Sequence, residues 1–129
     1  MYGEKFAMER ILALTTEKDL FTGIQEKIQD NADIDIKTCI DNLNLIEKFV
    51  SQHTELVILD IDLLKEKVIK LINILRSINK NLKIILILSN DKMSICSGAL
   101  SLGVVSYLIK PISINNLAKI ISATLKVSI

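Results

Sequence analysis

The sequence has few of the residues that most often mark nucleotide, metal or hydrolase sites. Its 129 residues include four glycines, one proline, two cysteines, one histidine and no tryptophan. It contains neither of the glycine-rich phosphate loops GxGxxG and GxxxxGK[ST]. It also lacks the GxSxG motif that would supply a hydrolase serine for the single histidine, His53. Cys39 and Cys96 are solitary, which is unlike a zinc site or a disulfide framework. These absences argue against dinucleotide, P-loop, hydrolase and zinc chemistry.

Charge and hydropathy narrow the class of protein further. The 16 basic and 15 acidic residues are mixed along the chain and give a net charge of +1, so we expect no direct binding of nucleic acid. The apolar runs are too short to cross a bilayer, and the N-terminus does not resemble a secretory signal. Half of the residues are apolar, which is enough for one core. We therefore expect a single domain over residues 1–129, located in the cytoplasm and away from membranes.

Five short apolar segments alternate with stretches of helical periodicity. The apolar segments are residues 11–14, 34–39, 56–59, 84–88 and 104–109. The periodic apolar positions are Leu20, Ile24 and Ile28; Leu43, Ile46 and Val50; Val68, Leu71, Ile72 and Leu75; Met93, Cys96 and Leu100; Leu117, Ile121 and Leu125. Runs of this kind suit strands that are buried on both faces. The pattern predicts a strand followed by a helix, five times.

This alternation predicts an α/β fold, a doubly wound parallel sheet of five strands with helices on both faces. The expected strand order is 2-1-3-4-5, as in flavodoxin-like domains. Binding sites in such sheets form beyond the carboxyl ends of the strands. The polar residues that follow the apolar segments should therefore share one edge: Thr15, Thr16, Asp60, Ser89 and Lys110.

Three motifs occur at these strand ends. Residues 55–60 read ELVILD, the next strand ends in Ile-Leu-Ser at Ser89, and residues 99–111 read ALSLGVVSYLIKP. Asp60 and Ser89 are 29 residues apart, and Lys110 follows 21 residues later. Together the motifs resemble the receiver domain of two-component response regulators, whose last block is A-x-x-x-G-A-x-x-Y-L-x-K-P. The resemblance extends from Arg10 to about Lys126.

The resemblance implies a role for each of these residues. Asp60 would accept a phosphoryl group, which is chemistry open to a carboxylate at a strand end. Lys110 and Ser89 would stabilise the added charge. Tyr107 would be the aromatic that moves with the serine, and Pro111 would orient the lysine through the cis peptide bond typical of the family. The same comparison implies Mg²⁺ as cofactor if the domain is phosphorylated, and no enzymatic activity.

One departure from the family pattern concerns the metal. The first strand of a receiver normally ends in two acidic residues that hold Mg²⁺, and Thr15 and Thr16 occupy those positions. The charges of Asp60 and Lys110 alone sum to zero, so little attracts a divalent cation that prefers anionic oxygens. We therefore expect phosphorylation to be slow or absent unless other carboxylates reach the site.

Neighbouring residues modify this expectation. Glu17 and Asp62 are the carboxylates that could join Asp60 as metal ligands and restore part of the charge. Thr16, with Asp19 three residues later, predicts a capping box at the first helix. Residues 61–65 lack the Met-Pro pair and the glycine that are usual in the family, so this turn should differ.

Two hypotheses follow. In the first, a sensor histidine kinase phosphorylates Asp60, and the change reaches the face formed by the predicted fourth helix, fifth strand and fifth helix. In the second, a degenerate receiver serves as a phosphorylation-independent interaction or dimerisation module through the same face. A homodimer and an attached output domain, often a transcription regulator, are the further partners that the resemblance allows. Asp60 and Lys110 could also be only a structural ion pair, with Ser89 capping the next helix.

Overall fold

The sheet has the strand order that the sequence predicts. A computed structural model describes residues 9–28 and 33–126. Its strands are β1 (Glu9–Leu14), β2 (Ile34–Cys39), β3 (Leu56–Asp60), β4 (Lys83–Leu88) and β5 (Ser106–Ile109). All neighbouring pairs are parallel, and the order is β2-β1-β3-β4-β5. The carboxyl ends of β1 and β3 therefore lie side by side at the point where the strand order reverses.

Helices connect the strands, with two elements that the periodicity did not predict. The helices are α1 (Lys18–Ile28), α2 (Asn42–Ser51), α3 (Ile61–Leu64), α4 (Lys67–Ile78), α5 (Met93–Leu100) and α6 (Ile114–Leu125). The short α3 and a 3-10 turn over Asn90–Lys92 are the additions. Within the described ranges, no helix is long and apolar enough to cross a membrane.

Two apolar layers enclose the sheet and explain the uninterrupted strand runs. All five residues of β3 are buried, because alternate side chains enter opposite layers. Leu59 packs with residues of α2, α4 and α5, whereas Ile58 packs with residues of α1 and α6. A strand covered on both sides has no position for a polar residue until it reaches the edge of the sheet, where Asp60 lies.

The faces of two helices differ from the prediction. In α2 the sequence predicts a buried stripe that includes Leu43 and Val50, but these residues are 69% and 60% exposed. The helix instead buries Leu45 and Phe49, one turn apart, because the larger aromatic ring fills the layer against the sheet. In α5, Leu100 is likewise exposed, whereas Cys96 at the predicted position is fully buried.

Arg76 holds the loop that leads into β5. The strand itself begins at Ser106 and is therefore shorter than the predicted segment 104–109. The Arg76 guanidinium donates to the carbonyl oxygens of Leu102 at 3.0 Å, Leu82 at 2.8 Å and Gly103 at 2.8 Å. Gly103 has a φ of +80°, which a residue without Cβ adopts without strain. The loop thus enters β5 at a fixed angle, and this strand carries Lys110 at its end.

Candidate functional site

Asp60 is a buried carboxylate at the end of the central strand. Only 1% of the residue is exposed. Its Oδ1 accepts from the backbone N–H of Asp62 at 3.0 Å, which makes Asp60 the N-cap of α3. Its Oδ2 accepts from the Thr15 hydroxyl at 3.2 Å. A buried carboxylate is costly unless it is paired and hydrogen-bonded, and the remaining partner is a lysine.

Lys110 supplies the positive charge of the site. Its Nζ lies 3.0 and 2.8 Å from the two oxygens of Asp60, 2.9 Å from Asp62 and 3.3 Å from Glu17. The Lys110–Pro111 peptide bond is cis, as the resemblance implies. Partial burial acts to lower the pKa of Lys110, but hydrogen bonds to Asp60 and Asp62 outweigh it and raise the pKa above its ordinary value. The lysine is therefore charged at any physiological pH.

Asp62, rather than Asp60, is the hydrogen-bonding partner of Ser89. The Ser89 hydroxyl donates to Asp62 Oδ2, and the Ser89 backbone N–H donates to Asp62 Oδ1 at 3.0 Å. Burial acts to raise the pKa of Asp62, but these two hydrogen bonds and the Lys110 ammonium lower it to about 2. The Asp62 carboxylate is therefore ionised near neutral pH, and both of its oxygens are engaged.

The two threonines at the end of β1 lie in different environments. Thr15 is fully buried, and its hydroxyl accepts from the backbone N–H of Glu17 at 3.0 Å while donating to Asp60. Thr16 is exposed, and α1 begins at Lys18, so the predicted capping box of Thr16 and Asp19 is wrong. The turn after β1 is closed instead by the Thr15 hydroxyl, which accepts from the Glu17 N–H at the edge of the sheet. This turn directs the side chain of Glu17 towards Lys110.

The charge of the site differs from the sequence-based estimate of zero. Three carboxylates, those of Glu17, Asp60 and Asp62, surround one ammonium, so the group carries a net charge of −2. Glu17 lies three residues after the end of β1, and Asp62 lies two residues after the end of β3. The turn that follows each strand returns these side chains to the edge of the sheet, within reach of Lys110. Glu17 Oε2 is buried and has no hydrogen-bond partner among the described residues. Nowhere in the described ranges do three His, Cys, Asp or Glu residues form a metal-binding group.

Tyr107 lies apart from this cluster. It lies on the edge strand β5, three residues before Lys110, and 39% of the residue is exposed. It makes no hydrogen bond to the described residues of the cluster. The structure therefore brings together Thr15, Asp60 and Lys110, brings Ser89 to Asp62, and leaves Thr16 and Tyr107 outside.

Several solved structures that share this fold are described as response regulators or their receiver domains. One from Thermotoga maritima has a TM-score of 0.80 at 12% identity, over 93% of this chain and 99% of that chain. A CheY-like receiver domain protein from Methanospirillum hungatei JF-1 has a TM-score of 0.76 at 16% identity, over 93% and 95%. A two-component response regulator from Clostridium difficile has a TM-score of 0.75 at 22% identity, over 92% and 97%. At identities this low, the structural similarity establishes the fold alone.

Sequence comparison identifies the family. No curated protein matches the chain. The model of the response regulator receiver domain, however, matches residues 11–122, which include every strand end of the cluster. The chain therefore belongs to the family of response regulator receiver domains.

Proposed function

We propose that this receiver domain accepts a phosphoryl group on Asp60 from a sensor histidine kinase in the cytoplasm. The observation that carries the proposal is the contact of Lys110 Nζ with both oxygens of the buried Asp60, at the carboxyl edge of the sheet. Receiver domains are the signal-accepting domains of two-component systems, and we treat residues 1–129 as one such domain without enzymatic activity of its own.

The chemistry needs an oxygen nucleophile and groups that stabilise added charge. A carboxylate oxygen of Asp60 would attack the phosphorus of a phosphohistidine, the P–N bond would break, and the imidazole nitrogen would leave with the electron pair. The product is an acyl phosphate with about two negative charges. Lys110 is close enough to bind it, and Ser89 could donate once its hydroxyl turns from Asp62.

The residues present suit Mg²⁺ in donor chemistry and charge. The net charge of −2 favours a cation, and Glu17 Oε2 is an anionic oxygen that pairs with Lys110 at 3.3 Å but accepts no hydrogen bond in the described structure. Mg²⁺ is commonly held by one or two carboxylates with waters completing its shell, so we propose Asp60 and Glu17 as its ligands. Asp62 has both oxygens engaged by Ser89 and is the weaker candidate. When bound, the ion would offset negative charge on the transferring group.

The output surface that we propose is formed by α5, β5 and α6. Exposed apolar side chains occur there, at Leu100, Val105, Tyr107 and Ile109, each 39 to 50% exposed. Movement of Ser89 towards the phosphoryl group would free space for Tyr107 and alter this surface. A homodimer or an attached output domain would be the partner that senses the change. We favour this hypothesis over phosphorylation-independent docking because Asp60, Ser89 and Lys110 are all retained.

Intact-mass measurement after treatment with acetyl phosphate and Mg²⁺ tests the proposal. We expect the wild-type chain to gain the mass of one phosphoryl group, and Asp60→Asn to gain none. Asp91→Asn is a matched control, since the Asp91 side chain is 74% exposed and pairs only with Lys92. Absence of an adduct under conditions that label an ordinary receiver, or an adduct that persists in Asp60→Asn, would contradict phosphorylation at Asp60.

A further inference from the structure

Asp62 uses the donors that a phosphoryl group on Asp60 would need. Its carboxylate accepts from the Ser89 hydroxyl, from the Ser89 backbone N–H at 3.0 Å and from Lys110 Nζ at 2.9 Å. These are a hydroxyl, an amide and an ammonium converging on one anion, which is a set typical of phosphate binding as well. The Asp62 carboxylate thus occupies the donors that lie beside the oxygens of Asp60, where a phosphoryl group would be attached.

The end of β3 explains why Asp62 reaches these donors. Parallel pairing of β3 with β4 sets Asp60 opposite Ile87, and Ser89 lies two residues beyond Ile87. The chain leaves β3 at Asp60 and enters the short helix α3, which Asp60 caps. This turn brings the Asp62 carboxylate, two residues after Asp60, into hydrogen-bonding contact with Ser89.

We propose that the Asp62 carboxylate is a built-in competitor of the phosphoryl group, holding Ser89 and Lys110 until it is displaced. This inference rests on the proposed phosphorylation of Asp60 and concerns its regulation. Phosphorylation replaces the single negative charge of Asp60 by about two beside Asp62, so the two anions repel and compete for the same donors. The Asp62 side chain is 25% exposed, so it can rotate towards solvent when the phosphoryl group displaces it.

The competition has a measurable consequence. Beryllofluoride, in the presence of Mg²⁺, is a non-covalent probe for a phosphoryl group on an aspartate. Its dissociation constant can be measured by calorimetric titration or by fluorine NMR. Asp62→Ala frees the Ser89 hydroxyl and removes one of the three carboxylates that Lys110 contacts, so we expect it to bind the probe about tenfold more tightly than wild type.

Two controls separate competition from a general change in charge. Asp91→Ala removes an exposed carboxylate from the turn next to Ser89 and should leave the affinity unchanged. Ser89→Ala should weaken binding more in the Asp62→Ala background than in wild type, because only there is the serine free to bind the probe. Asp62→Asn keeps the side-chain shape and serves if Asp62→Ala fails to fold.

The outcomes distinguish this inference from the proposed function. Tighter binding by Asp62→Ala, together with dependence on Ser89, supports competition. If the Asp62 variants bind no more tightly than wild type while Asp60→Asn abolishes binding, the competitor role is overturned and phosphorylation of Asp60 stands. If beryllofluoride binds none of the variants, including Asp62→Ala, both proposals are overturned.

Discussion

Lys110 binds the two oxygens of Asp60 with a single ammonium group, at 3.0 and 2.8 Å. Lys110 directly follows the edge strand β5 and Asp60 is the last residue of the central strand β3, so the contact spans β4, which lies between these two strands. The same ammonium also contacts Asp62 and Glu17. Lys110 therefore offsets part of the negative charge of three neighbouring carboxylates.

Replacement of Lys110 by methionine should destabilise the domain strongly. The change leaves Asp60, which is 1% exposed, beside two other carboxylates without a cation. We expect the free energy of unfolding in urea to fall by about 3 kcal/mol, as for other buried pairs that lose one partner. Lys92→Met, which breaks only the exposed pair with Asp91, should cost less than about 1 kcal/mol. Equal losses in the two variants would contradict the central role of Lys110.

Asp62 should make stability depend on acidity below pH 4. Its pKa falls from an ordinary 3.8 to about 2 in the folded state, despite the opposing effect of burial, because Ser89 and Lys110 bind the ionised form. A lowered folded pKa gives stabilisation that is complete above the unfolded pKa and is lost as the pH falls through the folded one. Between pH 4 and pH 2, wild type should thus lose more stability than Asp62→Asn. If the free energy of unfolding, measured by urea denaturation, falls equally in the two proteins over this pH range, the stabilising role of ionised Asp62 is refuted.

Arg76 should be needed for the loop before β5. Its guanidinium donates to four backbone carbonyls on two loops, at 2.8 to 3.4 Å. Arg76→Met leaves these acceptors without their charged donor, and we expect the free energy of unfolding to fall by about 2 kcal/mol. Arg76→Lys should recover little of this loss, since an ammonium lacks the planar fork. Lys70→Met, at an exposed position of the same helix, is the matched control and should be near neutral.

The corrected face of α2 gives a direct comparison of two leucines. Leu45 is fully buried and Leu43 is 69% exposed. Leu45→Ala should lower the free energy of unfolding by about 3 kcal/mol through the cavity that it leaves. Leu43→Ala should change it by less than about 0.5 kcal/mol. Thermal or urea unfolding checks both, and a larger loss at Leu43 would restore the face that the sequence periodicity predicts.

Lys65 occupies a backbone conformation that favours glycine. It follows α3 with φ 53° and ψ −136°. Lys65→Gly should raise the free energy of unfolding by about 1 kcal/mol, because relief of backbone strain exceeds the added flexibility of the unfolded chain. Lys70→Gly, in the middle of α4, should lower it by about 1 kcal/mol. A decrease in both variants would show that the turn tolerates lysine without strain.

Much of the fold was predictable because it depends on local patterns. Each apolar run that ends at a polar residue became a parallel strand, and the alternation with helices gave the observed strand order. The face of α2 was not predictable in this way, since Leu43, Leu45, Ile46, Phe49 and Val50 are all apolar. Which of them is buried depends on the space left between α2 and β1, and that space is set by residues distant in sequence.

The sequence by itself determined that Thr15, Asp60, Ser89 and Lys110 lie at the carboxyl edge of the sheet, because each of them directly follows or ends a strand of one parallel sheet. Only the tertiary structure decided how they pair. The turn after β1 brings in Glu17, and the short helix α3 after β3 brings Asp62, instead of Asp60, to Ser89. Hydrogen bonds depend on displacements of a few ångströms, and these follow from turns and register that no single stretch of sequence encodes.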